Sequence, residues 1–429
     1  MPELKKQPSP GFDYIVVSGD WISRISARAY GDYKYWTLIR DANLDQVKGP
    51  DATKGGDQVW FLPGQKIFIP ELPQAEKKFK TEISGKEKDE ETFIIEGIEI
   101  PLQSFTFTRA IDTGSNVLIC AFAWEPRKDK KIDELTQFYR YPECQFYIGG
   151  KIKFAGIVYD VEKSNGKSGR SIELTSYTRT VDFIDSTVDA PYEKNNTYLL
   201  DEIKRQARPF GINVILDDNA DQGGKIDRVA ANKQDKRFDY CAKLCAERGL
   251  LLSCTFDGDL IIIVADTKSK PVGTIQEKYP PVQEYSFKSK GRGRFNIYRA
   301  KSQTPKKLSG AVIVKDDLIP RGRTISFTAP AIRSAELQKA AEWKKNKSAA
   351  DDLTVPFPVD SWYAPNDEMW DENTKISVES LTLGTEKKGF TFLIKQVDII
   401  KDTSGKTGIV HLVPPEVYTR KKIEEPWRS

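Results

Sequence analysis

Residues 169–260 open with Gly169-Arg170-Ser171-Ile172-Glu173-Leu174-Thr175-Ser176-Tyr177 and run straight into Thr178-Arg179-Thr180-Val181-Asp182-Phe183-Ile184-Asp185. The first part alternates polar and apolar side chains, as a half-buried strand does. A helix from Leu199 to Arg208 follows, with Leu200, Ile203 and Ala207 on one face. Gly211-Ile212-Asn213-Val214-Ile215-Leu216 then reads as a strand. A second helix runs from Lys236 to Arg248 and places Phe238, Cys241 and Cys245 together. Gly249-Leu250-Leu251-Leu252 leads to a hairpin at Asp257-Gly258. These pieces carry no chemistry on their face. They describe a compact α/β scaffold with β structure on either side.

The whole chain has 429 residues, too many for one core, so roughly three to four domains are expected. Hydrophobic residues make up 39% and charged residues 30%, a balance that suits folded, water-soluble modules. The net charge of +4 is spread among many cancelling charges, which argues against a dedicated nucleic-acid face. No apolar run approaches the roughly 18 residues of a membrane helix. Met1-Pro2-Glu3-Leu4-Lys5-Lys6 has no signal-peptide core, so synthesis in a host cytoplasm is expected.

No catalytic or metal-binding constellation emerges, and no cofactor is expected. Cys120, Cys144, Cys241, Cys245 and Cys254 are odd in number and form no CxxC pair, so they read as buried thiols. His411, the single histidine, lies in the apolar run Gly408–Val413 and reads as a strand residue. Asp112, Glu125 and Asp160 are scattered among basic residues and read as solvated surface, as do Arg205 and Arg208. The loop Asp217-Asp218-Asn219-Ala220-Asp221 has Arg228 where an EF-hand needs its bidentate Glu. Gly291-Arg292-Gly293-Arg294 reads as a turn, because no phosphate-binding strand–loop–helix order surrounds it.

The sequence divides into a loose tail (1–11), a small module (12–70), a Lys/Glu-rich linker (71–91), a first β-barrel (92–190) and the α/β domain (191–275). A second barrel is assembled from 276–329 and 376–418 around a helix-containing insert (330–375), before a charged tail (419–429). Short strands with tight turns carry the barrel reading: Gly149-Gly150 and Asn165-Gly166 are the clearest turns. Val282 to Ser289 reads as one further strand. Ser334 to Asn346 reads as a helix with a Ser334 cap and Leu337, Ala341 and Trp343 turned inward. The fold class is multidomain α+β.

The small module runs strand, helix, helix, strand. Its Tyr14-Ile15-Val16-Val17-Ser18-Gly19-Asp20, Tyr30-Gly31-Asp32, Asp41-Ala42-Asn43 and Leu62-Pro63-Gly64-Gln65 resemble a LysM domain over nearly its whole length. The resemblance implies a groove or docking surface built from Ser18, Gly19, Asp20, Trp21, Leu62, Pro63 and Gly64. Trp21 stands where sugar-binding members carry Thr or Ser, and the loop from Leu44 to Gln58 is long. Both departures argue against glycan binding, and Tyr30-Gly31-Asp32-Tyr33-Lys34-Tyr35-Trp36 resembles the LysM modules of phage baseplates, a resemblance that implies docking to other tail proteins, with peptidoglycan binding as the alternative.

From Glu91 to Tyr418 the order of modules resembles the baseplate hub proteins of Mu-like contractile phage tails, the late-control or tail-D group. The fragments that carry it are Arg170-Ser171-Ile172, Thr178 to Asp185, Arg208-Pro209-Phe210-Gly211-Ile212, Ala246-Glu247-Arg248-Gly249-Leu250-Leu251-Leu252, and Leu381-Thr382-Leu383 with Thr391-Phe392-Leu393. The resemblance implies a homotrimer, and a structural part rather than an enzyme. In this reading two barrels per chain give a six-fold face for the tail tube protein and a three-fold face for the central spike protein. Baseplate wedge proteins would meet the LysM module, and the tape-measure protein is a further partner. DNA would pass only as cargo, no membrane is involved, and the protein would reside in the virion.

Overall fold

The computed structural model describes residues 8, 12–18, 20–30, 35–43, 45–49, 60–70, 82–126, 128, 130–167, 169–287, 291–302, 311–329, 334–387 and 389–424. The chain splits into two compact units, 1–78 and 79–429.

In the first unit β1 (Phe12–Ile15) is followed by α1 (Ile22–Tyr30), α2 (Trp36–Asp41) and β2 (Lys66–Ile69). The two strands pair antiparallel, Phe12 opposite Ile69 and Ile15 opposite Lys66. Tyr14, Val16, Ile25, Ile39, Ile67 and Ile69 bury the apolar faces of all four elements against one another. The buried Asn43 locks the helices to the sheet. Its amide donates to the Ile39 carbonyl at 2.8 Å and the Phe68 carbonyl at 2.7 Å, and its oxygen accepts from Phe68 N–H. An amide that meets three backbone groups inside a small core fixes one geometry.

The second unit begins with β3 (Glu91–Ile95), β4 (Ile98–Ile100), β5 (Ser104–Ala110), β6 (Val117–Ala123), α3 (Lys130–Leu135), β7 (Glu143–Ile148), β8 (Lys151–Gly166) and β9 (Gly169–Thr178). These strands lie in the order β4-β3-β7-β8-β9-β6-β5. The β7–β8 hairpin turns at Gly149 and Gly150, whose φ values of +59° and +71° suit a two-residue hairpin loop.

The α/β part holds α4 (Val181–Asp185), β10 (Glu193–Thr197), α5 (Leu199–Ala207), β11 (Val214–Leu216), β12 (Ile226–Ala230), α6 (Arg237–Glu247), β13 (Leu251–Cys254) and β14 (Leu260–Ile263). Strand β14 runs parallel to β11 and antiparallel to β13, and α5 and α6 bury Ile203, Ala207, Cys241 and Cys245 in one core with Leu260 and Ile262. Gly249, at φ +74°, follows α6 in the left-handed conformation that ends helices.

The remainder comprises β15 (Thr274–Gln276), β16 (Ile297–Ser302), β17 (Ala311–Lys315), β18 (Thr324–Ala329), α7 (Ser334–Asp352), β19 (Val355–Val359), β20 (Lys375–Glu379), β21 (Phe390–Asp402) and β22 (Gly405–Val413). Strand β21 carries β20 along its first residues and β22 along nearly all of its other edge. Strand β19 then pairs with β22, and β15 with β20.

Neither expected barrel closes. The free edge of β5, which a closed first barrel would have to use, is hydrogen-bonded to β21, from Phe105 opposite Lys401 to Ala110 opposite Gln396. That pairing fuses the two β lobes into one twelve-stranded sheet. Their cores merge as well, with Phe105 packed on Phe146 at 4.7 Å between ring centroids and on Trp362 at 5.5 Å.

The strands expected in the second barrel between 296 and 329 also lie elsewhere. Strand β16 pairs antiparallel with β17 and parallel with β18, and α7 covers Tyr298, Ala300, Val314 and Ala329. Their apolar faces are satisfied by the helix, so they need no barrel. The run from Val282 forms only a single bridge to Val359. Helix α7 extends past Asn346, because that side chain donates to the carbonyls of Thr419 (2.8 Å) and Lys421 (2.7 Å) and not to its own backbone. The expected Ser334 cap lies outside the described side chains.

Residues 71–81 of the expected linker lie outside the described residues. The stretch from Glu82 is pinned to the β7–β8 hairpin: Ile83 N–H donates to the Gly150 carbonyl at 2.8 Å, and Gly149 N–H to the Glu90 carbonyl at 2.9 Å. Gly149 and Gly150 permit this close approach, since a Cβ on either would collide with a backbone carbonyl of the strap.

Gly156 is a point of close backbone approach in the first lobe. A Cβ there would overlap the Tyr177 carbonyl oxygen and lie 2.6 Å from the Phe154 ring. Gly156→Ala should therefore destabilise the second unit by about 2 kcal/mol or more, read as a lowered midpoint in urea unfolding.

Candidate functional site

The two loops expected to form the groove of the first unit lie side by side. Val16 N–H donates to the Gln65 carbonyl at 2.9 Å, and Gly64 N–H to the Val16 carbonyl at 2.8 Å. Gly64 takes φ +88°, and the Gln65 side chain accepts from Leu62 N–H. Asp20 faces inward. It accepts from the Tyr14 hydroxyl at 2.6 Å and from Val17 N–H at 3.1 Å, and it forms an ion pair with Arg28. Ser18, Pro63 and Gly64 are exposed, with Trp21 (64%) and Leu62 (47%) as large apolar groups facing water. Gly19 lies outside the described residues. The described residues form a hydrogen-bonded loop pair with an apolar surface, and the Asp20 carboxylate is already occupied.

In the second unit the junction of the lobes carries a set of charges that the sequence does not reveal. Arg109, on β5, donates to Glu372 at 2.7 Å and lies 2.8 Å from Asp371. Burial and the Glu372 carboxylate push the Asp371 carboxyl up. Burial acts on Glu372 in the same sense, but Arg109 outweighs it and holds that carboxyl down. A cavity of about 530 Å³ opens here, lined by Lys88, Arg109, Lys151, Lys153, Asp367 and Asp371 among others. Lys88 closes one side through its ion pair with Asp367, and the Tyr363 hydroxyl donates to the Lys88 carbonyl at 2.7 Å. The arrangement sets two carboxylates against a half-buried arginine where the two lobes join, with Lys153 on the same cavity wall.

Other residues read as solvated are engaged. Asp112 is nearly buried and pairs with Lys347, and the Tyr418 hydroxyl donates to it at 3.1 Å. Burial pushes its carboxyl up, yet Lys347 and Lys395 outweigh that and hold it below the usual range. Arg205 pairs at 2.6 Å with Glu202, which is fully buried and also accepts from Gln206 and the Tyr240 hydroxyl. His411 lies on β22 as a strand residue, its Nε2 2.8 Å from an Asp398 oxygen. All five cysteines are buried, and burial pushes the thiols of Cys144 and Cys254 up to about 12. Among the described residues, no group of three or more His, Cys, Asp or Glu side chains stands close enough to hold a metal ion.

Residues 180–264, from α4 through β14, match the family described as baseplate hub protein gp44-like, second domain. The structure is similar to the 43 kDa tail protein of prophage MuSo2 from Shewanella oneidensis, at 21% identity and a TM-score of 0.65, over 77% of this chain and 99% of that one. It is equally similar to a tail protein from Neisseria meningitidis MC58, at 15% identity and a TM-score of 0.65, over 79% of this chain and 98% of that one. The fold is that of phage tail proteins. No curated protein matches the sequence. Within the phage-tail fold, the hub-like domain supplies α5 and α6, and the fused sheet lies on both sides of it in sequence.

Asp398 provides a pH test of the junction. Burial raises its carboxyl, but hydrogen bonds from His411, Thr108 (2.8 Å) and Gln396 (3.0 Å) outweigh that and hold it below the ordinary carboxylate range. A depressed folded-state value contributes stability above the unfolded pKa of about 3.9, and that stability is lost as the pH falls through the folded value. Chemical denaturation between about pH 5 and pH 2 should show a steeper acid loss in the wild type than in Asp398→Asn.

Proposed function

We propose that this chain is the central hub of the baseplate of a contractile phage tail or tail-like particle, a structural part of the virion and not an enzyme. The observation that carries the reading is the hub-type second domain at 180–264 inside a chain whose fold matches nearly the whole length of Mu-type and related tail proteins. Three copies form a ring. Each contributes two β lobes, so six lobes face the tail tube protein while the three-fold end seats the central spike protein. DNA, where the particle carries it, passes through the ring without being bound.

The first unit is a LysM-type module that docks to baseplate wedge proteins. Trp21 and Leu62, flanked by Ser18, Gly19, Pro63 and Gly64, form the contact, and Asp20 holds its loop in shape. Exposed aromatic and aliphatic groups on a rigid loop pair suit a protein interface, where a few such anchors supply most of the binding energy. The tape-measure protein is a further neighbour at the tube end.

Light scattering on the full chain should give the mass of a trimer, alone or once tube and spike proteins are added. A monomer under all these conditions would refute the reading. Trp21→Ala with Leu62→Ala should weaken wedge-protein binding at least about tenfold without shifting the thermal midpoint. Retention of the full chain on peptidoglycan, lost in the same variant, would instead assign the module to the cell wall.

A further inference from the structure

Strand β8 carries one residue more than its partner β7 can match. Phe146 stands opposite Phe154 and Tyr147 opposite Ile152, so Lys153 forms a β-bulge with no residue across from it. The bulge breaks the alternation of the strand. Phe154 joins the main aromatic core, while Ile152 packs in a separate cluster with Tyr147 and Ala155. Lys153, between them, lines the cavity of about 530 Å³ at the lobe junction. Bulges re-aim single side chains in this way and are frequent beside functional sites.

Of the four cations that line the cavity, Arg109 is met by Glu372 and Asp371, and Lys88 by Asp367. Lys151 and Lys153 have no ion pair and no side-chain hydrogen bond among the described residues. Lys151 is exposed, but Lys153 is half-buried. Burial, and then the Arg109 guanidinium, push the Lys153 pKa below the ordinary lysine value; Asp371 opposes this and does not overcome it. A partly desolvated ammonium beside another cation is unfavourable until a negative charge meets it.

The cavity also has the size and lining of a small-molecule site. Its volume lies within the roughly 300–1,000 Å³ that such sites occupy. Val272, Tyr363 and Met369 give it an apolar wall and are only half-buried. Glu368 and Asp371 line it too, so a ligand with two negative charges is repelled where one with a single charge is held. The walls come from both lobes, with Arg109, Lys151 and Lys153 on one side and Tyr363, Met369 and Asp371 on the other.

We propose that this cavity binds a small organic acid with a single carboxylate, which the Lys153 ammonium takes inside while Lys151 stands at the rim and the apolar body lies on Val272, Tyr363 and Met369. A ligand so placed touches both lobes, and its binding stabilises their junction by mass action. The proposal does not depend on the trimer reading, and its test uses neither tube nor spike protein.

Benzoate, which joins one carboxylate to an apolar ring, is the probe. Saturation-transfer NMR on the full chain should show transfer to its ring protons, and saturating benzoate should raise the thermal midpoint. Benzyl alcohol, its neutral counterpart, should give no such rise. Lys153→Met should weaken benzoate binding at least about tenfold. Its own thermal midpoint should stay the same or rise, because a partly desolvated cation has been removed. Lys151→Gln, a surface change, should weaken binding about two- to fivefold. No transfer to benzoate in the wild type would overturn the proposal, and so would equal affinity in Lys153→Met. A marked fall in the midpoint of ligand-free Lys153→Met would make Lys153 a structural group and overturn it as well. Tighter binding of phenyl phosphate than of benzoate would overturn the assignment to a single carboxylate.

Discussion

The second edge of β5 is paired with a strand of the other lobe, and the rest of the sheet follows from that. Strand β6 takes one side and β21 the other, so the row of backbone donors and acceptors that would have closed the first lobe is spent on the second. A buried sheet edge with unmet N–H and C=O groups is costly, and pairing it across the lobes removes that cost. The aromatic core then has no boundary: Phe105, Phe146 and Trp362 belong to one cluster although they come from different lobes. Side chains follow the backbone across the same line. Thr108 bonds Asp398, Arg109 bonds Glu372, and Lys401 pairs with Glu91. The first of these contacts depends directly on the register between β5 and β21, which sets Thr108 opposite Asp398, because a slip of one residue would turn one of the two to the opposite face.

That register also sets how charge is managed. Glu372 and Asp371 are delivered to Arg109 by the chain preceding β20. Arg109 and Asp371 keep part of their surface in water, so the set adds little net stability. Its role is to specify how the lobes meet. Exposed groups do the opposite work. Trp21 and Leu62 in the first unit, and Phe138, Tyr139 and Tyr141 in the second, stand in water on backbones pinned by Asp20 and Arg140.

Local features were legible in the sequence and non-local ones were not. Helices α5 and α6 follow from apolar spacing, and the glycines at 149, 150 and 249 mark turns and a helix end that take positive φ. Leu337, Ala341 and Trp343 are buried as their spacing implies. The strands at 297–329 look like any others, and nothing in their composition says that α7, rather than a barrel, covers them. Asp112 sits in a polar stretch, and its burial depends on Lys347 and Tyr418, which lie far along the chain. The residues proposed for docking in the first unit could be grouped from the sequence because they flank one turn each. The inward direction of Asp20 needed the position of Arg28.

The shared strand also orders events on the ribosome. Thr108 and its partner Asp398 are separated by 290 residues, so the first lobe is synthesised long before the segment that covers its open side exists. Pairings this distant carry a large loop-closure entropy and form late. Until β21 has been synthesised, β5 presents a bare hydrogen-bonding rim that another nascent chain could add to. The time that rim stays open is set by the length of chain between the two strands, so a slow stretch of translation in the α/β part would lengthen the exposure of a strand made long before it.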